Sequence, residues 1–258
     1  GATDVCPLIP VSNISFKELI PYAEKLAKRV YETLNIPIYL YEYAAKEEKR
    51  KNLANVRSGE YEGLKEKISK KEWKPDFGLA FNKKSGATAI GVRDFLIAYN
   101  INLNTKSTRL ANAIAFDVRE KGRIKRKGHP VIGDIVYDKN GNPEKIPGSL
   151  KHVKAIGWYI DEFGIAQISM NLTNITETPI HTVFDEVSKK AEIRGARVTG
   201  SELVGLIPLK SMLDAGKYFL KKQNRSIGIP EIDIIKVAIE SLGLNQVKNF
   251  DPETNIIE

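Results

Sequence analysis

Cysteine is nearly absent from this 258-residue chain: Cys6 is the only one, so no internal disulfide can form. It sits in an apolar, proline-flanked segment and reads as a small buried hydrophobe rather than a nucleophile. No apolar run approaches the roughly 20 residues that a membrane span needs, and no membrane association is expected. The first residues, Gly1-Ala-Thr-Asp, lack an initiator methionine and the basic-then-apolar pattern of a signal peptide. They predict a processed chain or a piece of a longer one, in the cytoplasm. Histidine is scarce, with His129, His152 and His181 the three in the chain, and none has an acidic orienting partner nearby in sequence. No metal is expected.

Charge is what the chain has in quantity. Lysine and arginine number 40 against 32 acidic residues, a formal net charge of +8 that favours anionic partners without deciding their kind. The excess is uneven: Arg119, Lys121, Arg123, Lys125, Arg126 and Lys127 fall in one short stretch. Hydrophobic content of 42% is ordinary for a globular protein and suffices for one sizeable core or two modest ones.

The chain is organised around residues 73–103, which read as a glycine-punctuated loop feeding a strand. Gly78, Gly86 and Gly91 permit positive φ and close backbone approach, and the strand at 95–103 ends in the hydrogen-bonding Asn100 and Asn102. Before it, residues 3–11 suit an edge strand interrupted by Pro7 and Pro10. Ser15 with Glu18 has capping-box spacing, opening a helix with Leu19, Tyr22, Leu26, Val30 and Leu34 on one face and Asn35 at its end. A strand at 38–43, a solvated charged turn at 46–51 and a surface helix at 60–73 follow.

Beyond residue 95 the pattern is regular: strand 95–103, helix 107–121, strands 153–161 and 165–172, helix 178–194 and strand 197–209. Two helices, 210–222 and 229–242, close the chain. Residues 122–150 form a basic, glycine- and proline-rich insert with a small hairpin at 135–146 around Asn140-Gly141. The order βαββαβ is that of a ferredoxin-like unit.

A repeat is visible within this order. Thr3-Asp-Val-Cys-Pro-Leu-Ile-Pro-Val11 aligns without a gap on Ser201-Glu-Leu-Val-Gly-Leu-Ile-Pro-Leu209, and a helix follows each. The fold class expected is therefore α+β, two ferredoxin-like halves, the first incomplete at its N-terminus. Residues 1–92 would be the remainder of an N-terminal subdomain plus linker, and 93–258 the C-terminal subdomain. By the repeat, roughly 80 further residues are expected upstream of Gly1.

Four blocks in order carry a family resemblance: Asp4-Val-Cys-Pro-Leu-Ile-Pro10, Val56-Arg-Ser-Gly-Glu-Tyr-Glu-Gly63, the Asp-Phe-Gly and Gly-Ala-Thr pair flanking residues 79–85, and Gly200-Ser-Glu-Leu-Val-Gly-Leu-Ile-Pro-Leu209. Across nearly its whole length the chain resembles the formiminotransferases, the folate-dependent glutamate formimidoyltransferases. The resemblance implies transfer of a formimidoyl group from N-formimidoyl-L-glutamate to tetrahydrofolate in histidine degradation, with tetrahydrofolate as co-substrate and a homodimer as the assembly. Formyl transfer is a nearby variant, and the cyclodeaminase domain fused to some relatives is not expected here.

The resemblance also implies the site. Folate would meet Gly78, Leu79, Ala80, Phe81, Asn82, Lys83, Lys84, Ser85 and Gly86, through backbone amides, the Asn82 amide, the Phe81 ring and the lysine charges. Arg57 and Arg93 are candidates for binding substrate carboxylates. The family's catalytic histidine stands in a His-Pro motif just ahead of the Gly-Ala-x-Asp with which this chain begins, so no catalytic residue is expected in the chain, which by itself would be inactive. His181 matches a family histidine in the first turn of a helix, where a capping or packing role is expected.

Two other readings compete. A nucleic-acid-binding ferredoxin-like module would use the basic cluster, but the aromatic-rich pattern of RNA-binding sheets is missing, so nucleic acid is not the favoured partner. A catalytically inactive folate-binding paralogue is the third. The coding sequence immediately upstream of the Gly1 codon checks the expected extension: an in-frame His-Pro there supports it, and a stop codon or an unrelated domain removes it.

Overall fold

A computed structural model describes residues 4–129 and 132–258. They divide into two compact units, one ending at Asp94 and one beginning at Phe95.

The first unit runs β1 (Val5–Leu8), α1 (Phe16–Leu34), β2 (Ile38–Glu42), α2 (Leu53–Arg57), α3 (Glu60–Ser69) and β3 (Thr88–Val92). Its sheet has the order β1-β3-β2, with both pairings parallel. The Ser15 capping box forms as expected: Ser15 N–H donates to Glu18 Oε2 (2.9 Å) and Glu18 N–H to Ser15 Oγ (3.3 Å). α1 ends at Asn35, which takes a left-handed φ of +52° and donates its N–H to Tyr31. Ala23 and Ala27 of α1 pack on Ile38, Leu40, Ile90 and Val92, while Tyr39, Tyr41 and Ala89 on the other face meet Val56, Leu64 and Ile68.

Two expectations are corrected here. The stretch read as a loop into strand 95–103 contains β3, the central strand of this sheet. Its residues Thr-Ala-Ile-Gly-Val are buried on both faces, so they carry no alternation for the sequence to reveal. The charged run at 46–51 is not simply solvated either: Arg50 is 3% exposed, and its guanidinium lies 2.8 Å from the equally buried Asp76.

The second unit runs β4 (Ile97–Leu103), α4 (Thr108–Val118), β5 (Val153–Ile160), β6 (Ile165–Leu172), α5 (Ile180–Ile193) and β7 (Val198–Val204). Its antiparallel sheet has the order β7-β4-β6-β5. Ile97, Tyr99, Ile101 and Leu103 point from β4 into a core shared with Ala111, Ile114 and Val118 of α4 and Val183 and Val187 of α5. The strand expected over 197–209 breaks at Gly205, which has a φ of +87°, leaving β7 and the short β8 (Ile207–Pro208). Helices α6 (Leu209–Lys222) and α7 (Glu231–Leu242) follow, and β9 (Ile256–Ile257) returns parallel to β8.

The hairpin expected in the basic insert forms, with Glu144 N–H donating to the Val136 carbonyl and Asp138 N–H to that of Asn142, both at 2.8 Å, and two further pairings are added to it. Arg123–Ile124 pairs with Lys145–Ile146, and Arg126–Lys127 pairs with Asp134–Ile135. The turn at Asn140-Gly141 is present, with Asp138 Oδ1 accepting from the N–H groups of Asn140 and Asn142, both at 2.8 Å. The partner of residues 145–146 is the segment just after α4, which no local turn signal announces.

Removing one member of a buried ion pair strands the other charge, so Arg50→Ala is expected to destabilise the first unit by about 3–5 kcal/mol. The exposed Lys51→Ala, which breaks the Lys51–Glu48 pair, is expected to cost less than about 1 kcal/mol. Urea denaturation of both variants checks the contrast.

Candidate functional site

The first unit contains a cleft of about 450 Å³ between the sheet and the α2–α3 corner. Its apolar wall includes Tyr39, Val56, Leu64 and Ala89, and its charged groups are Arg57 and Lys67 together with Asp4, Glu60 and Glu62. Size and lining suit a small organic ligand with a flat apolar part and an anionic end.

Local chemistry builds the corner. Asn52 caps α2 by accepting from Ala54 N–H (3.0 Å), and Gly59, with a φ of +84°, turns the chain into α3. Lys67, one helix later, sends its ammonium back to the carbonyls of Asn55 (2.7 Å), Val56 (2.8 Å) and Ser58 (3.1 Å), and to Ser58 Oγ (3.0 Å). The Val56 and Ser58 carbonyls belong to the end of a short helix, while that of Asn55 also accepts from Ser58 N–H (3.3 Å) and Ser58 Oγ (2.8 Å). The same ammonium lies 4.0 Å from the centre of the Trp73 ring. Burial pulls the Lys67 pKa down to about 8, with the positive Arg50 acting in the same direction, so Lys67 stays charged at neutral pH.

Held by this corner, Arg57 reaches the cleft, where its Nη2 pairs with Asp4 Oδ2 at 2.6 Å. A guanidinium that already holds a carboxylate there can hold another. Arg93 lies just past β3, does not line the cleft, and donates from Nη1 to the Asp94 carbonyl (2.8 Å). The structure thus separates two arginines that the sequence left equal.

The loop at residues 78–86 meets the cleft at Gly86. Gly78 and Gly86 have φ of +80° and +69°, and a Cβ at Gly78 would fall 2.8 Å from the Tyr31 ring. Between them, Asn82 shapes the turn: its Oδ1 accepts from the N–H groups of Lys84 (2.9 Å) and Ser85 (3.1 Å), and its Nδ2 donates to the Asn35 carbonyl (3.1 Å). Its amide is therefore engaged in folding the loop. Phe81 is half-buried against Tyr61, Leu79 and Ala80 are exposed, and the Lys83 and Lys84 side chains face solvent.

A second polar constellation, which the sequence signalled only through Asn100 and Asn102, lies on the sheet of the second unit. Trp158 Nε1 donates to Gln167 Oε1 (3.2 Å), Gln167 Nε2 to Asn102 Oδ1 (2.7 Å), and Asn102 Nδ2 to Gln246 Oε1 (2.8 Å). Glu202 accepts from Asn100 Nδ2 (3.0 Å). All lie on the face opposite α4 and α5, where Ile156 and Val204 are exposed. Alternation along β4 marks both asparagines as one face; the strands that supply their partners are far away in sequence.

The histidines are placed apart. His129 Nδ1 accepts from Ile132 N–H (3.3 Å) in the insert. His152, with a φ of +55°, lies 2.9 Å from Glu177, an acidic partner that proximity in sequence did not reveal. His181 stacks on Tyr218, ring centres 4.4 Å apart, and its buried Nδ1 has no hydrogen-bond partner. In the basic cluster, Arg123 pairs with Asp117, Lys125 with Glu144 (2.6 Å), Arg126 donates to the Gly133 carbonyl (2.7 Å), and Arg119 donates to that of Gly122 (2.9 Å). Four of its six side chains thus tie the insert to itself and to α4. Among the described residues, no group of three or more His, Cys, Asp or Glu could hold a metal ion, and no helix is long and apolar enough to cross a membrane.

Comparison with known proteins adds the context. Residues 98–258 match the model of the formiminotransferase domain, and residues 1–93 match its N-terminal subdomain. A protein of Dictyostelium discoideum named formimidoyltransferase-cyclodeaminase is 45% identical over 260 residues, covering 100% of this chain and 44% of its own length. Glutamate formimidoyltransferase of Streptococcus pyogenes serotype M1 is 35% identical over 225 residues, 87% of this chain and 67% of its own. The protein of that name from Thermoplasma acidophilum is 38% identical over 223 residues, 86% and 65% respectively. The chain spans less than half the length of the first relative and about two thirds of the other two.

Burial holds the His181 pKa below its ordinary value, against the opposing pull of Asp214 and Asp185. As pH falls through about 6.5, the unfolded chain takes up a proton that the folded ring resists, so stability is lost on acidification. His181→Phe keeps the stacking and removes the titration. Its unfolding midpoint is expected to fall less than that of the unaltered protein between about pH 7.5 and pH 5.5.

Proposed function

The chain belongs to the formiminotransferase family, and on that premise we propose that it carries the folate side of a formimidoyl transfer. The donor is N-formimidoyl-L-glutamate, the acceptor tetrahydrofolate, and the setting histidine degradation. The observation that carries this reading is the cleft against Gly86, with Arg57 at its polar wall beside the loop at residues 78–86. The apolar wall takes the flat part of a folate, and Arg57 takes a carboxylate in place of Asp4.

In the reaction the amidine carbon leaves a glutamate nitrogen for a ring nitrogen of tetrahydrofolate. A base takes a proton from the attacking nitrogen, and an acid returns one to the leaving amine. We assign neither role to His129, His152 or His181. In this reading residues 78–86 and Arg57 bind and orient the folate, and Arg93, which does not line the cleft, takes no part. The reading also takes residues 93–258 as a ferredoxin-like half, supported by the antiparallel β7-β4-β6-β5 order, and the protein as a cytoplasmic homodimer; the wholly parallel β1-β3-β2 sheet gives the partial first half expected from the repeat no such support.

Titration of the full-length protein with 5-formyl-tetrahydrofolate tests this. Arg57→Ala is expected to weaken binding about tenfold to a hundredfold, the range for a lost hydrogen bond to a charged group, and Arg93→Ala much less. Folate binding indifferent to Arg57→Ala overturns the placement. No folate binding, with tight and steeply salt-dependent RNA binding instead, overturns the function.

A further inference from the structure

We propose that Tyr61 is a positioning residue that holds the loop at residues 78–86 in its binding arrangement. The inference rests on the folate reading of the adjoining cleft.

Three contacts converge on this side chain. Its hydroxyl donates to the Lys83 carbonyl at 2.6 Å, its ring meets that of Phe81 at 5.6 Å between centres and 46° between planes, and its Cδ2 lies 3.2 Å from where a Cβ on Gly86 would stand. One residue near the start of α3 thus touches the middle and the end of the loop while also lining the cleft. The helix that carries it is fixed, because the Lys67 ammonium ties α3 to the corner before it. Tyr61 is itself 44% exposed, so it is no part of the core whose loss would unfold the unit.

The loop's remaining ties explain why this one matters. Gly86 N–H donates to the Asn82 carbonyl (2.8 Å), and the Asn82 side chain closes the turn on itself and hangs it from Asn35 at the end of α1. Those bonds define the shape of the turn and attach it on the α1 side. Tyr61 attaches it on the cleft side, through the carbonyl of Lys83 at the tip of the turn that Asn82 closes. Without the hydroxyl the loop is folded but hinged, and only part of its population presents the binding arrangement. Apparent affinity then falls by that fraction, with no change in the reacting groups.

The test uses Tyr61→Phe and Tyr61→Ala in the full-length protein. Tyr61→Phe is expected to raise KM for tetrahydrofolate about threefold to tenfold, the worth of one neutral hydrogen bond, while kcat stays within about twofold. Tyr61→Ala, which also loses the Phe81 contact, is expected to raise it further. Amide hydrogen exchange across residues 79–86 without ligand is expected to quicken in both variants, with the thermal midpoint unchanged. Unchanged exchange and KM in Tyr61→Phe overturn the proposal, as does a loss confined to kcat. Absence of 5-formyl-tetrahydrofolate binding by the unaltered protein strikes the folate reading instead, and the exchange measurement still decides whether Tyr61 tethers the loop.

Discussion

Asp76 and Arg50 lie 2.8 Å apart with exposures of 5% and 3%, and the first unit is arranged around their pairing. Desolvating two charges is expensive, so such a pair is kept for the geometry it imposes more than for the energy it yields. Here that geometry is extensive. Asp76 Oδ2 also accepts the Leu40 N–H (2.8 Å), Arg50 Nη2 donates to the Lys74 carbonyl (2.6 Å), and the guanidinium lies over the Tyr39 ring. Asp76 N–H donates to the Ile38 carbonyl (2.9 Å), and Ile38 N–H to that of Phe77 (2.9 Å). The segment just before the loop is thereby fastened along the outer side of β2. That blunts an edge that would otherwise expose unpaired backbone groups, and it fixes where Gly78 begins.

The second unit treats its own edge in a related way. β5 ends the sheet, and its outward groups are covered by α4 and the residues after it. Asn112 exchanges two hydrogen bonds with Gly157 (2.9 and 3.0 Å), Arg119 Nη1 donates to the Ala155 carbonyl (3.3 Å), and Glu120 N–H donates to that of Val153 (3.0 Å). The helix comes so close that a Cβ at Gly157 would lie 2.2 Å from the Asn112 nitrogen. Asp117 of the same helix pairs with Arg123 of the insert and Arg194 after α5, so α4 organises the edge, the insert and the end of the next helix. A basic surface that looked available to polyanions is largely structural for this reason.

The proposed function and the fold meet in the first unit at the α2–α3 corner. A lysine replaces the missing acceptors' partners at the end of α2, an arginine is thereby carried to the cleft, and a tyrosine on the next helix joins the cleft to the loop. These groups come from residues 57–67, and the loop they serve from residues 78–86. Nothing in either segment alone requires the other.

The sequence by itself determined what short-range bonding controls. Ser15 and Glu18 set the start of α1, Asn35 its end, and alternation the strands of the second unit, because each depends on neighbours a few residues away. Four blocks in order sufficed for the family, since matching at many separate positions does not require knowing their contacts. Only the tertiary structure decided that Thr88–Val92 is a central strand, that Arg50 is buried, and that Arg57 rather than Arg93 lines the cleft. Asn82, whose amide the sequence offered to a ligand, was likewise decided by a carbonyl 47 residues away. The physical reason is common to all four: burial and the choice of a hydrogen-bond partner are settled by whichever distant segment packs alongside, and residue type alone does not name that segment.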